Sequence, residues 1–268
     1  MDDLTLSRFT SLDAAAVPTP YFAALEAFDG IPELQELKAL AMERGGVAPG
    51  RSVLDVGCGF GLETLRLAAR VGPAGRVAGI DKSADFIADA KRRAATAGLS
   101  VDLRTGDADA LPWGDAAFDC VRAERLLIYL KDPGRAVREM VRVLRPGGGL
   151  ALIEPDFSTT TVNLPDRPML RRALAHEADT AVVQSWLPGP LADILADLGL
   201  TAVARASRVL VFPQDLGATY FQSVGRHAVE AGAISGDELA AWSAGIAGLR
   251  ARGRLFGSVG YFLFTARR

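Results

Sequence analysis

Nine residues, Val53-Leu54-Asp55-Val56-Gly57-Cys58-Gly59-Phe60-Gly61, constrain this chain more than any other stretch. Strand-forming residues run into glycines at alternate positions, and Leu62 to Ala69 then resumes with helical spacing, so the stretch reads as strand, tight turn and helix. Glycine tolerates positive φ and raises no Cβ wall. A flat polar ligand can therefore lie against the main chain at the carboxyl end of the strand, where open α/β sheets bind their ligands. The same letters also describe a βα turn that is merely glycine-rich, so the context has to decide.

That context is a run of alternating strands and helices. Arg76 to Asp81 reads as a second strand ending in a carboxylate. An acid at this place can accept hydrogen bonds from both hydroxyls of a ribose, or it can cap the helix that starts near Ser83. A third strand spans Val101 to Arg104, and the loop Gly106 to Gly114 then sets acids beside apolar residues. Such a loop can accept from an exocyclic amine and pack on a purine face, or it can be a surface turn. Ala117 to Arg122 forms strand four, Leu126 to Leu130 a short apolar helix, and Ala136 to Leu144 a longer one that stops at Pro146-Gly147-Gly148-Gly149. Leu150 to Glu154 is strand five. Strands alternating with helices over residues 51–154 predict right-handed βαβ units in a doubly wound sheet.

The flanks differ in character. Residues 1–44 form a helical N-terminal cap, with helices around Tyr21 to Phe28 and Leu34 to Met42, and residues 45–155 are the core. After Pro155 the chain turns polar and threonine-rich, and residues 156–187 read as a lid insertion. Residues 188–268 complete the sheet with a sixth strand through Val203 to Val211 and a last one through Leu255 to Thr265, separated by a helical insertion at about 214–253. Composition narrows the partners. Thirty basic against 32 acidic residues leave a net charge of −2, so no global field draws the chain to nucleic acid or to an anionic membrane. The start lacks a basic region followed by an apolar stretch, and no window reaches ~18 uncharged apolar residues, so a cytoplasmic protein is expected. Cys58 and Cys120 offer neither a disulfide framework nor metal-ligand spacing and read as buried thiols.

Taken in order, Val53 to Gly61, Gly79-Ile80-Asp81, Gly106 to Pro112 and Arg142 to Gly148 resemble the motifs of class I S-adenosylmethionine-dependent methyltransferases. Within that family they are similar to the small-molecule group that includes the ubiquinone and menaquinone C-methylating enzymes. The resemblance implies an α/β fold with a seven-stranded, mostly parallel sheet and S-adenosylmethionine as cofactor, with S-adenosylhomocysteine as product and no metal. It places the methionine part at Asp55, Gly57 and Gly59, with the Arg122 carbonyl facing the amine. Asp81, followed by Lys82, takes the ribose, and Asp107 with Ala108 takes the adenine. Tyr21 and Gln35 would close the pocket from the N-terminal cap.

The acceptor implied is a small, partly apolar metabolite, of secondary metabolism among others, met by a monomer or a homodimer. Where it needs a base, the chain's only histidines, His176 and His227, and Glu154 are the candidates. Phe22, Glu124, Tyr129, Asp156 and Trp186 are candidate contacts to it. Two other readings keep the same motifs. A methyltransferase-like protein can bind the cofactor without transferring methyl, as a pericyclase or a binding module. A nicotinamide oxidoreductase would use Asp81 and the turn as well, but the third glycine is not placed for Gly-x-Gly-x-x-Gly.

Overall fold

A computed structural model describes residues 19–268. Two helices, α1 (Thr19–Asp29) and α2 (Pro32–Gly45), precede an alternating series: β1 (Ser52–Val56), α3 (Leu62–Val71), β2 (Arg76–Asp81), α4 (Ala84–Thr96), β3 (Asp102–Thr105), β4 (Phe118–Glu124), α5 (Pro133–Val143) and β5 (Leu144–Val162). They are followed by α6 (Arg167–Thr180), α7 (Leu191–Asp197), β6 (Thr201–Val211), α8 (Gln214–Glu230), α9 (Gly236–Ala251) and β7 (Gly257–Arg267). One sheet takes all seven strands in the order β3-β2-β1-β4-β5-β7-β6. The pairs β1–β2, β1–β4, β2–β3 and β4–β5 are parallel.

Contacts divide the chain into two compact units. The first comprises Leu37–Glu154, Leu187–Ala206 and Phe262–Arg268. Here β1 is the centre of the parallel half, and its residues from Val53 to Val56 are buried because helices cover both faces. Val53, Leu67, Val71, Val77 and Cys120 pack as one cluster, and Cys58, Ile87, Ala90 and Leu103 as another. Both cysteines are therefore buried free thiols, with burial pushing the Cys58 thiol well up.

The second unit takes the described residues up to Glu36, then Pro155–Trp186 and Ser207–Tyr261. Its core is aromatic. Phe212 stacks on Tyr220 with ring centroids 5.0 Å apart, Phe221 meets both edge-on, and buried Trp242 donates its indole N–H to the Phe221 carbonyl at 2.8 Å. Ser235 opens α9 with a capping box closed by Glu238.

Two expectations need correction. The run from Asp156 to Val162 continues β5 instead of starting a lid, because Thr159, Thr160, Thr161 and Val162 are β-branched and suit an extended pleat. Pro146 to Gly148, expected as a turn after a helix, falls inside β5 as a bulge, where the partners shift from Phe118↔Leu144 to Cys120↔Gly149. Among the described residues no helix is long and apolar enough to cross a membrane.

Candidate cofactor site and acid-base groups

The glycine turn leaves β1 with Gly57, Gly59 and Gly61 at φ values of +72°, +52° and +88°. Their surroundings separate their roles. A Cβ on Gly57 would lie 3.0 Å from a Leu126 methyl, and one on Gly61 would lie 2.9 Å from the Ala90 Cβ, so both are held by packing inside the protein. Gly59 has nothing within 4 Å of that position. It is the point where the main chain lies open to a ligand. Gly59→Ala is expected to cost about 1 kcal/mol of stability from left-handed strain, and Gly61→Ala about 1–3 kcal/mol more from overpacking. Cofactor affinity should nevertheless fall further with Gly59→Ala, and urea melts paired with calorimetric titrations read both effects.

Asp81 ends β2 beside this turn. One carboxylate oxygen accepts the Gly59 N–H at 2.8 Å and the other the Ser83 N–H at 2.9 Å. Asp81 stays partly exposed at the mouth of the turn. The cap of α4 is Ser83, whose hydroxyl accepts from Phe86 N–H, so Asp81 is released from that duty. Lys82 next to it is exposed. Asp107 is exposed and Ala108 half-buried on the loop after β3. That loop is anchored from α5, where Glu139 accepts the Leu111 N–H at 2.9 Å and Arg142 donates to the carbonyls of Leu111 and Trp113 at 3.0 and 2.9 Å. Together, an open Gly59 main chain, a partly exposed acid and an anchored acidic loop on successive strand ends fit an adenosyl group.

Below the turn lies a buried charge network. Asp55 is only 1% exposed, and its two oxygens accept from the Thr64 hydroxyl at 2.7 Å and the Arg122 guanidinium at 2.8 Å. Burial raises its pKa against the pull of Arg122 and Thr64. At 1% exposed, and with Thr64 and Arg122 on its two oxygens, Asp55 anchors its neighbours below the turn, where a direct contact with the methionine part was expected. Arg122, 6% exposed, reaches Glu124 with its other arm at 2.7 Å. Lys38 from α2 closes the network, 3.0 Å from Glu124 and 3.5 Å from Glu63. Burial works against the Glu124 charge, but Lys38 and Arg122 outweigh it and hold its carboxyl down at about 2. Glu124 is thus a charged ion-pair partner of Arg122 and Lys38 and too weak a base to take a proton at neutral pH.

Glu154 is fully buried. One oxygen accepts the N–H groups of Leu126 and Leu127 at 3.2 and 2.8 Å, closing the 3-10 turn Leu127–Tyr129 that follows β4. Burial pushes its pKa up to about 8. Without exposed surface it cannot meet an acceptor, so the base expected at Glu154 is a backbone cap. Tyr129 stands in the same turn, its phenol pKa raised by burial.

The remaining candidates lie in the second unit. Gln35 donates to the Asp29 carbonyl, and half-buried Asp156 accepts from the Ser158 N–H at 2.9 Å, so both side chains have local work. Phe22 is half-buried in α1, while the side chain of Tyr21 lies outside the described residues. His176 and His227 border one cavity of about 360 Å³ together with Glu177 and Glu230. His227 Nδ1 is 4.0 Å from Glu177, which also accepts from the Tyr220 hydroxyl at 3.2 Å. Among the described residues no group of three or more His, Cys, Asp or Glu is placed to hold a metal ion.

The sequence assigns no role to Lys38, Glu63, Thr64 or Glu139, and it marks Arg142 only as the start of a motif. Thr64 alone left a signal, since the first turn of a helix after a glycine turn faces back toward its strand.

Residues 53–148 match the methyltransferase domain family. The chain is 39% identical over 163 residues to an uncharacterized transposon protein of Streptomyces fradiae, covering 60% of this chain and 47% of that one. It is 36% identical over 126 residues to the ubiquinone/menaquinone biosynthesis C-methyltransferase UbiE of Hahella chejuensis, covering 46% and 50%. The crystal structure of the [4+2]-cyclase SpnF is similar with a TM-score of 0.57 and 28% identity, over 88% of this chain and 81% of that one. The chain spans about half the length of the curated relatives it matches.

Proposed function

Residues 53–148 form a class I S-adenosylmethionine-dependent methyltransferase domain, and from this premise we propose that the chain methylates an O, C or N atom of a small, partly apolar metabolite. The observation that carries the reading is the open main chain at Gly59, hydrogen-bonded to Asp81 at the end of the neighbouring strand. Asp81 takes the ribose hydroxyls, with Lys82 beside it. Asp107 and the Ala108 backbone take the adenine. The turn and the Arg122 carbonyl receive the methionine end, and Asp55 acts on it only by fixing Arg122 and Thr64. The cofactor's sulfonium supplies a methyl group that is already activated, so the protein's part is to align a nucleophile and keep water out. Within the second unit, His227 stands 4.0 Å from Glu177, which is itself held by Tyr220, the surroundings of an imidazole that can take up a proton.

Incubation with the cofactor and a panel of apolar hydroxyl, carbon-acid and amine acceptors should yield S-adenosylhomocysteine, followed by mass spectrometry. Asp81→Ala should weaken cofactor binding by about 10–100-fold, the value of one or two hydrogen bonds to a charged group. An unchanged calorimetric affinity removes Asp81 from the site. The likeness to SpnF supports a second reading, in which the cofactor is bound without methyl transfer and the acceptor site promotes a cyclisation. Cofactor binding accompanied by substrate isomerisation and no S-adenosylhomocysteine would select it.

A further inference from the structure

We propose that the second unit carries a binding site for an amphipathic organic anion, in a groove of about 580 Å³ between the outer half of β5 and one face of α6. Its volume lies in the range of about 300–1,000 Å³ usual for small-molecule sites. Arg167 and Arg171 stand one helical turn apart on that face, exposed, and neither pairs with a carboxylate among the described residues. Their neighbour Arg172 contrasts with them, being committed to Glu238 and to the Ala233 carbonyl. Two planar guanidiniums so spaced suit the forked oxygens of a carboxylate or a phosphate monoester. Beyond them the same face turns apolar with Leu170, Leu174 and Ala178, and Trp186 adds an indole that is 59% exposed. An exposed indole beside aliphatic side chains is a surface that a ligand body would cover. Asp179 closes the far end, about 12 Å along the helix from Arg171 at 1.5 Å per residue. A second acid on the ligand is unwelcome there. The site therefore selects a ligand with one anionic head, an apolar body and a neutral or donating tail.

The inference rests on residues of this unit alone and stands without the methyl-donor reading, so the test omits the cofactor. The full chain is titrated with decanoate, decyl phosphate, decanol, inorganic phosphate and decanedioate, following Trp186 emission, with Trp186→Phe assigning the signal. At least one of decanoate and decyl phosphate should bind about tenfold or more tightly than decanol and inorganic phosphate, and the Arg167→Gln/Arg171→Gln double variant should lose that advantage. Which of the two binds tells a carboxylate site from a phosphate site. Decanedioate should bind more weakly than decanoate, with the gap closing in Asp179→Asn. Binding of decanol equal to that of both anions, no binding of either anion, or an affinity untouched by the double variant overturns the proposal.

Discussion

Arg122→Met is expected to destabilise the fold by about 3–5 kcal/mol, read from urea unfolding at neutral pH. The guanidinium is the shared partner of Asp55 and Glu124; it and Asp55 are buried and Glu124 is half-buried. Removing it strands two carboxylates in a low-dielectric interior, and such uncompensated charge costs more than the ion pair contributed when intact. Lys38 offsets part of the loss on the Glu124 side, since its ammonium lies 3.0 Å away. Asp55 has only the Thr64 hydroxyl left. The remaining strain should therefore appear as Asp55 taking up a proton, and the deficit of the variant should shrink as the pH is lowered. Arg122→Met/Asp55→Asn should recover much of the loss. A double variant no more stable than the single one would place the weight of the network elsewhere.

How much of this was legible in the sequence depends on whether a residue announces itself locally. The β1 turn did, because three glycines at alternate positions between an apolar run and an amphipathic helix admit few backbone paths. Asp81 and the acidic loop after β3 followed once the strands were counted. The extension of β5 did not, since its serines and threonines are as common in loops as in strands and only the pairing of the chain decides. The acids were harder still. Asp55, Glu124 and Glu154 carry the same chemistry on paper as Asp81, yet burial and partners separate them into an anchor, an ion-pair partner held at about 2 and a cap pushed up to about 8. Lys38 reaches Glu124 from a helix that precedes the first strand, and no spacing rule connects the two.

Glu154 carries the other large effect, and its sign is opposite to that of an ordinary carboxylate. Its folded pKa of about 8 stands above the unfolded value of about 4.3. Between those two values the folded state holds the proton that the unfolded state has released, so stability falls as pH rises through the window. The stabilisation is complete below the unfolded pKa and is lost as the pH passes the folded one. The slope is about 1.4 kcal/mol per pH unit, which accumulates to on the order of 5 kcal/mol across the window. Glu154→Gln keeps the neutral cap on Leu126 and Leu127 but has no proton to lose, so its stability should stay level where that of the unaltered chain declines. Urea unfolding of both proteins at pH 5, 7 and 8.5 measures the difference, and parallel profiles would rule out a titrating Glu154. The consequence reaches the cofactor turn, because Leu126, whose N–H Glu154 holds, is the residue packed against Gly57. Ionised Glu154 grips those N–H groups more strongly but sets a desolvated charge behind the turn, and water drawn in to solvate it should lower cofactor affinity above pH 8 in the unaltered chain while Glu154→Gln holds.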